Sequence, residues 1–174
     1  MSRHFNTMRT VIISAVLFPS LTLIFYILDY ASLFITSAAF SYHILMRLIT
    51  GYAVKNMKID GEARIFYVSD REFCFLKRLG IADWKGHLPT YNEESFKVRD
   101  LKALYCVMLH AELTHSVIVA LSFVPLVVSL CISSLRASWS VFFVTSLISA
   151  LFDSLFVAVQ RYNRKRINRM MKRA

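Results

Sequence analysis

The stretch ASWSVFFVTSLISALFDSLFVAV, residues 137–159, holds one charge, Asp153, and runs without a break into the polar cluster QRYNR, residues 160–164. A helix needs roughly 20 apolar residues to cross the hydrocarbon of a bilayer, so this stretch reads as a span that ends at Gln160. Polar side chains massed where a span leaves the membrane lose solvation. That junction is where function is sought first.

Three more apolar runs have similar length. With their cores at Thr10–Leu28, Tyr30–Met46, Ser116–Leu135 and Ala137–Val159, spans are expected over about 10–28, 30–49, 110–135 and 137–160. Residues 1–174 are therefore expected to form a single all-α membrane domain: a polytopic helical bundle of four spans, an amphipathic interfacial segment over 51–105 and a basic tail over 161–174. Asp29 alone separates the first two runs, with neither Gly nor Pro to turn the chain, so a tight hairpin stands beside a span plus a tilted or re-entrant helix. Pro19 and Pro125 lie inside apolar runs. Membrane helices tolerate them as kinks where a neighbour satisfies the freed carbonyl.

Composition agrees with this reading. The chain has 174 residues, 56% of them hydrophobic, and a formal net charge of +10. Its Lys and Arg flank the apolar runs, as topogenic charge and attraction to anionic lipid require, which argues against a nucleic-acid partner. Ten fall between Lys55 and Lys102, seven between Arg161 and Arg173 and two before Thr10, while Arg136 alone marks the last hairpin turn. Four spans then put both termini and the middle segment on the cytoplasmic side of the cell membrane. Cys74, Cys106 and Cys131 have neither the number nor the spacing of a disulfide framework or a zinc site. Arg3 and Arg9 ahead of Val11 resemble a signal-peptide start, but no small-residue cleavage site follows, so a membrane anchor is expected.

In the middle segment, Ser69 and Glu72 form a capping-box pattern and Gly80 suits the far end of the same short helix. Phe73, Leu76 and Leu79 or Gly80 recur at helical spacing and should rest on lipid or on the bundle. After Pro89, Asn92 followed by Glu93, Glu94 and Ser95 is expected to start the helix that enters the third span.

The third span opens with His110, Glu112 and His115. The two histidines are five apart and point about 140° from each other, so one helix face does not offer both to one metal, and no metal is expected. Glu112 and His115 are three apart and share a face. Counting equally from the turn near Arg136 brings 112 level with about 160 and 115 level with about 157. Glu112 and His115 are thus expected beside Gln160, Arg161, Asn163 and Arg164, with Asp153 deeper on the stripe it shares with Gln160 and Arg164. A purely structural reading of this set is an ion-paired helix junction with Glu112 neutralised by Arg161 or Arg164. Similarly, His43 and Arg47 read as a snorkelling interfacial pair, and Trp84, Lys85 and His87 as headgroup anchors.

Three motifs carry a resemblance. Ile81-x-x-Trp84-Lys85-x-x-Leu88-Pro89, then Ala111-Glu112-Leu113-x-His115, then Gln160-Arg161-Tyr162-Asn163-Arg164-x-Arg166, over roughly the C-terminal two thirds, are similar to the glycosyl-4,4'-diaponeurosporenoate acyltransferase family. The chain departs from it with His110 where Arg is common, Val107 where an acid is common, Asp153 for Asn and Leu155 for Pro. The resemblance implies transfer of a fatty acyl group to a sugar hydroxyl of a glycosylated carotenoid or related glycolipid. Acyl-CoA would be the co-substrate, with no resident cofactor.

Such a reaction needs a base, oxyanion donors and cations for the donor's phosphates. His115 is the expected base, with Glu112 orienting it or serving as base itself. Gln160 and Asn163 are expected to donate to the oxyanion, and Arg161 and Arg164 to bind phosphate or fix Glu112. Trp84 and Lys85 are expected to help bind substrate, and His110 and Asp153 to tune the site. The alternatives are another lipid-modifying membrane transferase or a small nonenzymatic membrane protein.

Overall fold

Asp29 makes the first turn. The computed structural model describes residues 2–55, 57–61, 63–84 and 100–172, with side chains from Thr10 onward except that of Trp84. Among the described residues every regular element is helical: α1 Ser2–Ile27, α2 Ala31–Lys55, α3 Asp70–Arg78, α4 Ile81–Trp84, α5 Leu101–Leu121, α6 Val124–Cys131 and α7 Trp139–Met171, with 3₁₀ turns at Arg64–Phe66 and Ser133–Ser138. Four helical stretches among the described residues are long and apolar enough to cross a membrane: Thr10–Ile27, Ala31–Lys55, Leu101–Cys131 and Trp139–Met171.

Helix ends differ from the hydropathy boundaries. α2 runs to Lys55 and α5 begins at Leu101, both within the 51–105 segment expected to lie outside the bilayer. Hydropathy marks where lipid ends, whereas a helix continues until a cap or breaker stops it. The cap of α5 is Asp100, whose Oδ1 accepts from the backbone N–H of Lys102 at 2.9 Å and Ala103 at 3.1 Å. Asn92, expected to start this helix, lies outside the described residues, as do His87, Pro89, Glu93, Glu94 and Ser95.

The chain divides into two compact units, one of residues 1–52 and 117–153, the other of 53–116 and 154–174.

In the first unit, Asp29 takes a left-handed φ of 58°. The N–H of Tyr30 reaches the carbonyl of Phe25 at 3.0 Å and that of Asp29 reaches Tyr26 at 3.2 Å, which is the Schellman closure of α1. Asp tolerates this backbone better than most side chains, so the hairpin forms without glycine. α1 and α2 then pack antiparallel. Thr22 and Ser41 hydroxyls meet at 3.0 Å, Phe18 stacks on Phe40 and Tyr26 packs on Phe34.

The third apolar run is broken where Pro125 demands it. α5 stops at Leu121, and α6 carries Pro125 in its first turn. Proline lacks the N–H that would bond the carbonyl four residues back, which is that of Leu121. Tyr42 supplies the missing donor, its hydroxyl donating to the Leu121 carbonyl at 2.9 Å. The turn expected near Arg136 is the 3₁₀ segment Ser133–Ser138, and Arg136 donates back to the Leu130 carbonyl at 3.2 Å.

In the second unit, Ser69 caps α3 by accepting from the Glu72 N–H at 3.1 Å, and Gly80 ends it at a φ of 69°. Phe73 and Leu76 are buried as expected, while Leu79 is 52% exposed because the left-handed Gly80 redirects the chain there. Phe73 stacks on Tyr162 with ring centroids 5.1 Å apart. Val68, Phe73, Leu76, Ile81, Val159 and Tyr162 make one apolar core, and Leu104, Met108 and Ile167 make another.

Candidate active site

The second unit brings α5, α7 and the segment 64–72 onto one carboxylate. Glu112 is 2% exposed. Its Oε1 accepts from Arg161 Nη1 at 2.7 Å and Arg164 Nη2 at 3.3 Å, and its Oε2 accepts from Arg164 Nε at 2.8 Å. The carboxylate thus sits between two guanidiniums, one of which grips both of its oxygens.

Arg161 also grips Glu72 with two donors, Nε at 2.5 Å and Nη2 at 3.0 Å. Its remaining donors reach backbone, Nη1 to the Ile65 carbonyl at 3.2 Å and Nη2 to the Tyr67 carbonyl at 3.0 Å. A guanidinium has five N–H groups, and these partners together with Glu112 use all five. Arg161 therefore fixes Glu112 and is not left to bind a phosphate. Arg164 donates in addition to the Tyr105 hydroxyl at 3.0 Å and to the Phe66 carbonyl, and lies over both aromatic rings. Lys165 donates to the Val68 carbonyl at 2.7 Å. Four successive carbonyls, from Ile65 to Val68, are thus each held by a cation of α7.

Arg161 is the leading cause that draws the Glu72 carboxyl below the usual glutamate range, opposed by partial burial and helped by the Ser69 backbone N–H. Asp70 is drawn down in the same direction, first by its hydrogen bond from Arg169 and then by that from Lys165.

His115 stacks on Phe156, ring centroids 4.7 Å apart and planes 11° from parallel. The register counted from Arg136 is therefore met within one residue, 112 beside 161 and 115 beside 156. Phe156, Gln160 and Arg164 follow at i, i+4 and i+8 on α7, so they form one stripe. Its two ends touch His115 and Glu112, and half-buried Gln160 occupies the position between. Asn163 is buried on the neighbouring face.

Other expected residues fall elsewhere. The His110 ring lies between two carbonyls, Nδ1 2.9 Å from that of Cys106 and Nε2 3.0 Å from that of Met57, so it sits where the chain leaving α2 meets α5. Asp153 belongs to the first unit and pairs with Arg47, which also donates to Ser149 at 3.0 Å. The snorkelling pair His43 and Arg47 is accordingly replaced by a buried imidazole and an ion-paired arginine. Trp84 ends α4 with its side chain outside the described residues, and Lys85 is outside them altogether.

Sequence reasoning assigned Glu72 to a cap and missed its part here, as it missed Tyr105 and the carbonyls of 65–68. An acid at the third position of a helix in a strongly basic segment was the available signal for Glu72.

Helices long and apolar enough to span a membrane, with a buried carboxylate between arginines and an imidazole one turn away, define a membrane-type helical protein with a polar centre in its second unit. The family model for glycosyl-4,4'-diaponeurosporenoate acyltransferase matches residues 63–173, and the chain belongs to that family. The family is one of acyltransferases of a carotenoid pathway. No curated protein and no solved structure matches the chain.

Proposed function

We propose that this protein moves a fatty acyl group from acyl-CoA to a hydroxyl of a glycosylated carotenoid or related glycolipid in the cell membrane. The reaction takes place at the cytoplasmic interface, where both chain termini also lie. The observation that supports this most is the stripe Phe156, Gln160 and Arg164, which sets an amide between an imidazole and a fixed carboxylate.

Chemically, the sugar oxygen attacks the thioester carbonyl, a C–O bond forms, the C–S bond breaks and the CoA thiol leaves. His115 accepts the hydroxyl proton and returns it to the departing sulfur. Glu112, with both oxygens engaged by Arg161 and Arg164, orients the site instead of taking the proton. Gln160 donates to the developing oxyanion. Because the donors of Arg161 are used within the protein, the phosphates of the donor fall to exposed cations such as Arg78, Arg166 and Lys172. Apolar helix faces hold the acyl chain and the acceptor in the membrane plane.

A nonenzymatic role is the second reading, favoured by the saturation of Arg161 with internal partners. Release of free CoA thiol separates the two. Purified protein in lipid nanodiscs, given acyl-CoA and a glycosylated carotenoid, releases thiol in step with ester formation under the first reading and releases none under the second.

A further inference from the structure

The first unit contains a second polar centre. His43 on α2 is 4% exposed, and neither ring nitrogen meets a hydrogen-bond partner among the described residues. One turn further along α2, Arg47 pairs with Asp153 and donates to Ser149, whose hydroxyl meets that of Ser122 at 3.0 Å. Ser146, Ser149 and Asp153 follow at offsets of three and seven on α7 and share one face. The Ser146 hydroxyl is likewise buried with no partner among the described residues. Imidazole nitrogens and hydroxyls buried without partners are costly, and the cost is removed when a polar group from outside the chain meets them.

The chemistry of that group follows from charge and location. Arg47 and Asp153 neutralise each other, so the centre has no surplus charge to hold a phosphate or an ammonium. A neutral imidazole offers one donor and one acceptor, and a hydroxyl answers either. The centre lies on helices long and apolar enough to cross a membrane, and it reaches the surface at Arg47, whose side chain is 32% exposed while that of Asp153 is 1% exposed. A neutral amphiphile with several hydroxyls fits these conditions.

We infer that His43, beside the Arg47–Asp153 pair and with Ser146 and Ser149 on the facing stripe, binds the hydroxyl groups of a membrane-embedded glycoside. That this glycoside is the acyl acceptor rests on the reading above. His43 is then a residue that recognises the acceptor's sugar, and it lies outside residues 63–173 that define the family.

The test uses full-length protein in lipid nanodiscs with ¹⁵N-labelled histidine side chains, titrated with dodecyl glucoside and, separately, with its permethylated counterpart. The His43 signals, identified by their loss in His43→Phe, are expected to move with the glucoside and to stay in place with the permethylated compound, which has no hydroxyl hydrogens. His43→Phe is expected to weaken glucoside binding about tenfold, the worth of one such hydrogen bond. Should His43→Phe not fold, His43→Gln identifies the signals, and the comparison of the two glucosides needs no variant.

No movement, equal movement with both compounds, or a His43 contact with internal water that the glucoside leaves unchanged overturns the inference. Acyl transfer measured in the same nanodiscs separates the two proposals. A His43 shift without ester formation removes the acyl-transfer reading and leaves the binding site. Ester formation without a shift removes the binding site and leaves acyl transfer.

Discussion

Arg164 grips both oxygens of Glu112, Nε at 2.8 Å from Oε2 and Nη2 at 3.3 Å from Oε1. The planar fork matches the carboxylate, and both side chains are buried, so the pair sets the orientation of α5 against α7 where His115 is displayed. An ammonium at the same position brings charge without the fork.

Glu112→Gln therefore acts first on stability. Removing the anion leaves Arg164 buried without its counter-charge, and breaking such a pair costs about 3–5 kcal/mol. Arg164→Lys keeps the charge but loses the fork and the geometry that reaches Tyr105 and Phe66, and is expected to destabilise by about 2 kcal/mol. Thermal unfolding in detergent checks both. If Glu112 were the base, Glu112→Gln would instead abolish turnover at nearly unchanged stability.

The bond from Tyr42 to the Leu121 carbonyl exists because Pro125 cannot make it. Tyr42→Phe is expected to cost about 1 kcal/mol in the wild-type background. In a Pro125→Ala background the new N–H of residue 125 can serve the same carbonyl, and the cost of Tyr42→Phe should fall towards zero. A double-mutant cycle on unfolding free energy measures the difference. Equal costs in both backgrounds would detach the tyrosine from the proline.

Acid should loosen the second unit through Glu72. Its carboxyl is held below the usual glutamate range in the folded chain, chiefly by Arg161. A depressed folded value means that the unfolded chain binds the proton more readily, so the stabilisation is complete above the ordinary glutamate range and is lost as pH falls through and below it. Wild type should lose more stability than Glu72→Gln between neutral pH and this acid window. Parallel stability curves for the two proteins would contradict the assignment.

Local chemistry made much of this legible beforehand. Ser69 and Gly80 bound α3 because caps and left-handed turns are read from single residues, and the meeting of 112 with 161 and 115 with 156 is within one residue of the count back from the turn at Arg136, even though Pro125 breaks the run between them. The turn at Asp29 was harder, since an aspartate in the left-handed region carries a weaker signal than glycine. Arg47 opposite Asp153 was not legible, because nothing in the sequence fixes the rotation of α2 about its axis. Nor were the carbonyls of residues 65–68, since backbone acceptors are the same in every residue type and leave no mark in a sequence.

The proposed reaction depends on His115 taking the hydroxyl proton during acyl transfer. Mass spectrometry of lipids from cells expressing wild type or His115→Gln, with protein accumulation in the membrane measured alongside, checks this dependence. A glycosylated carotenoid or glycolipid that gains one fatty acyl mass with wild type alone, at equal accumulation of both proteins, is the predicted result. Acylation by both proteins, or by neither at equal accumulation, would contradict it.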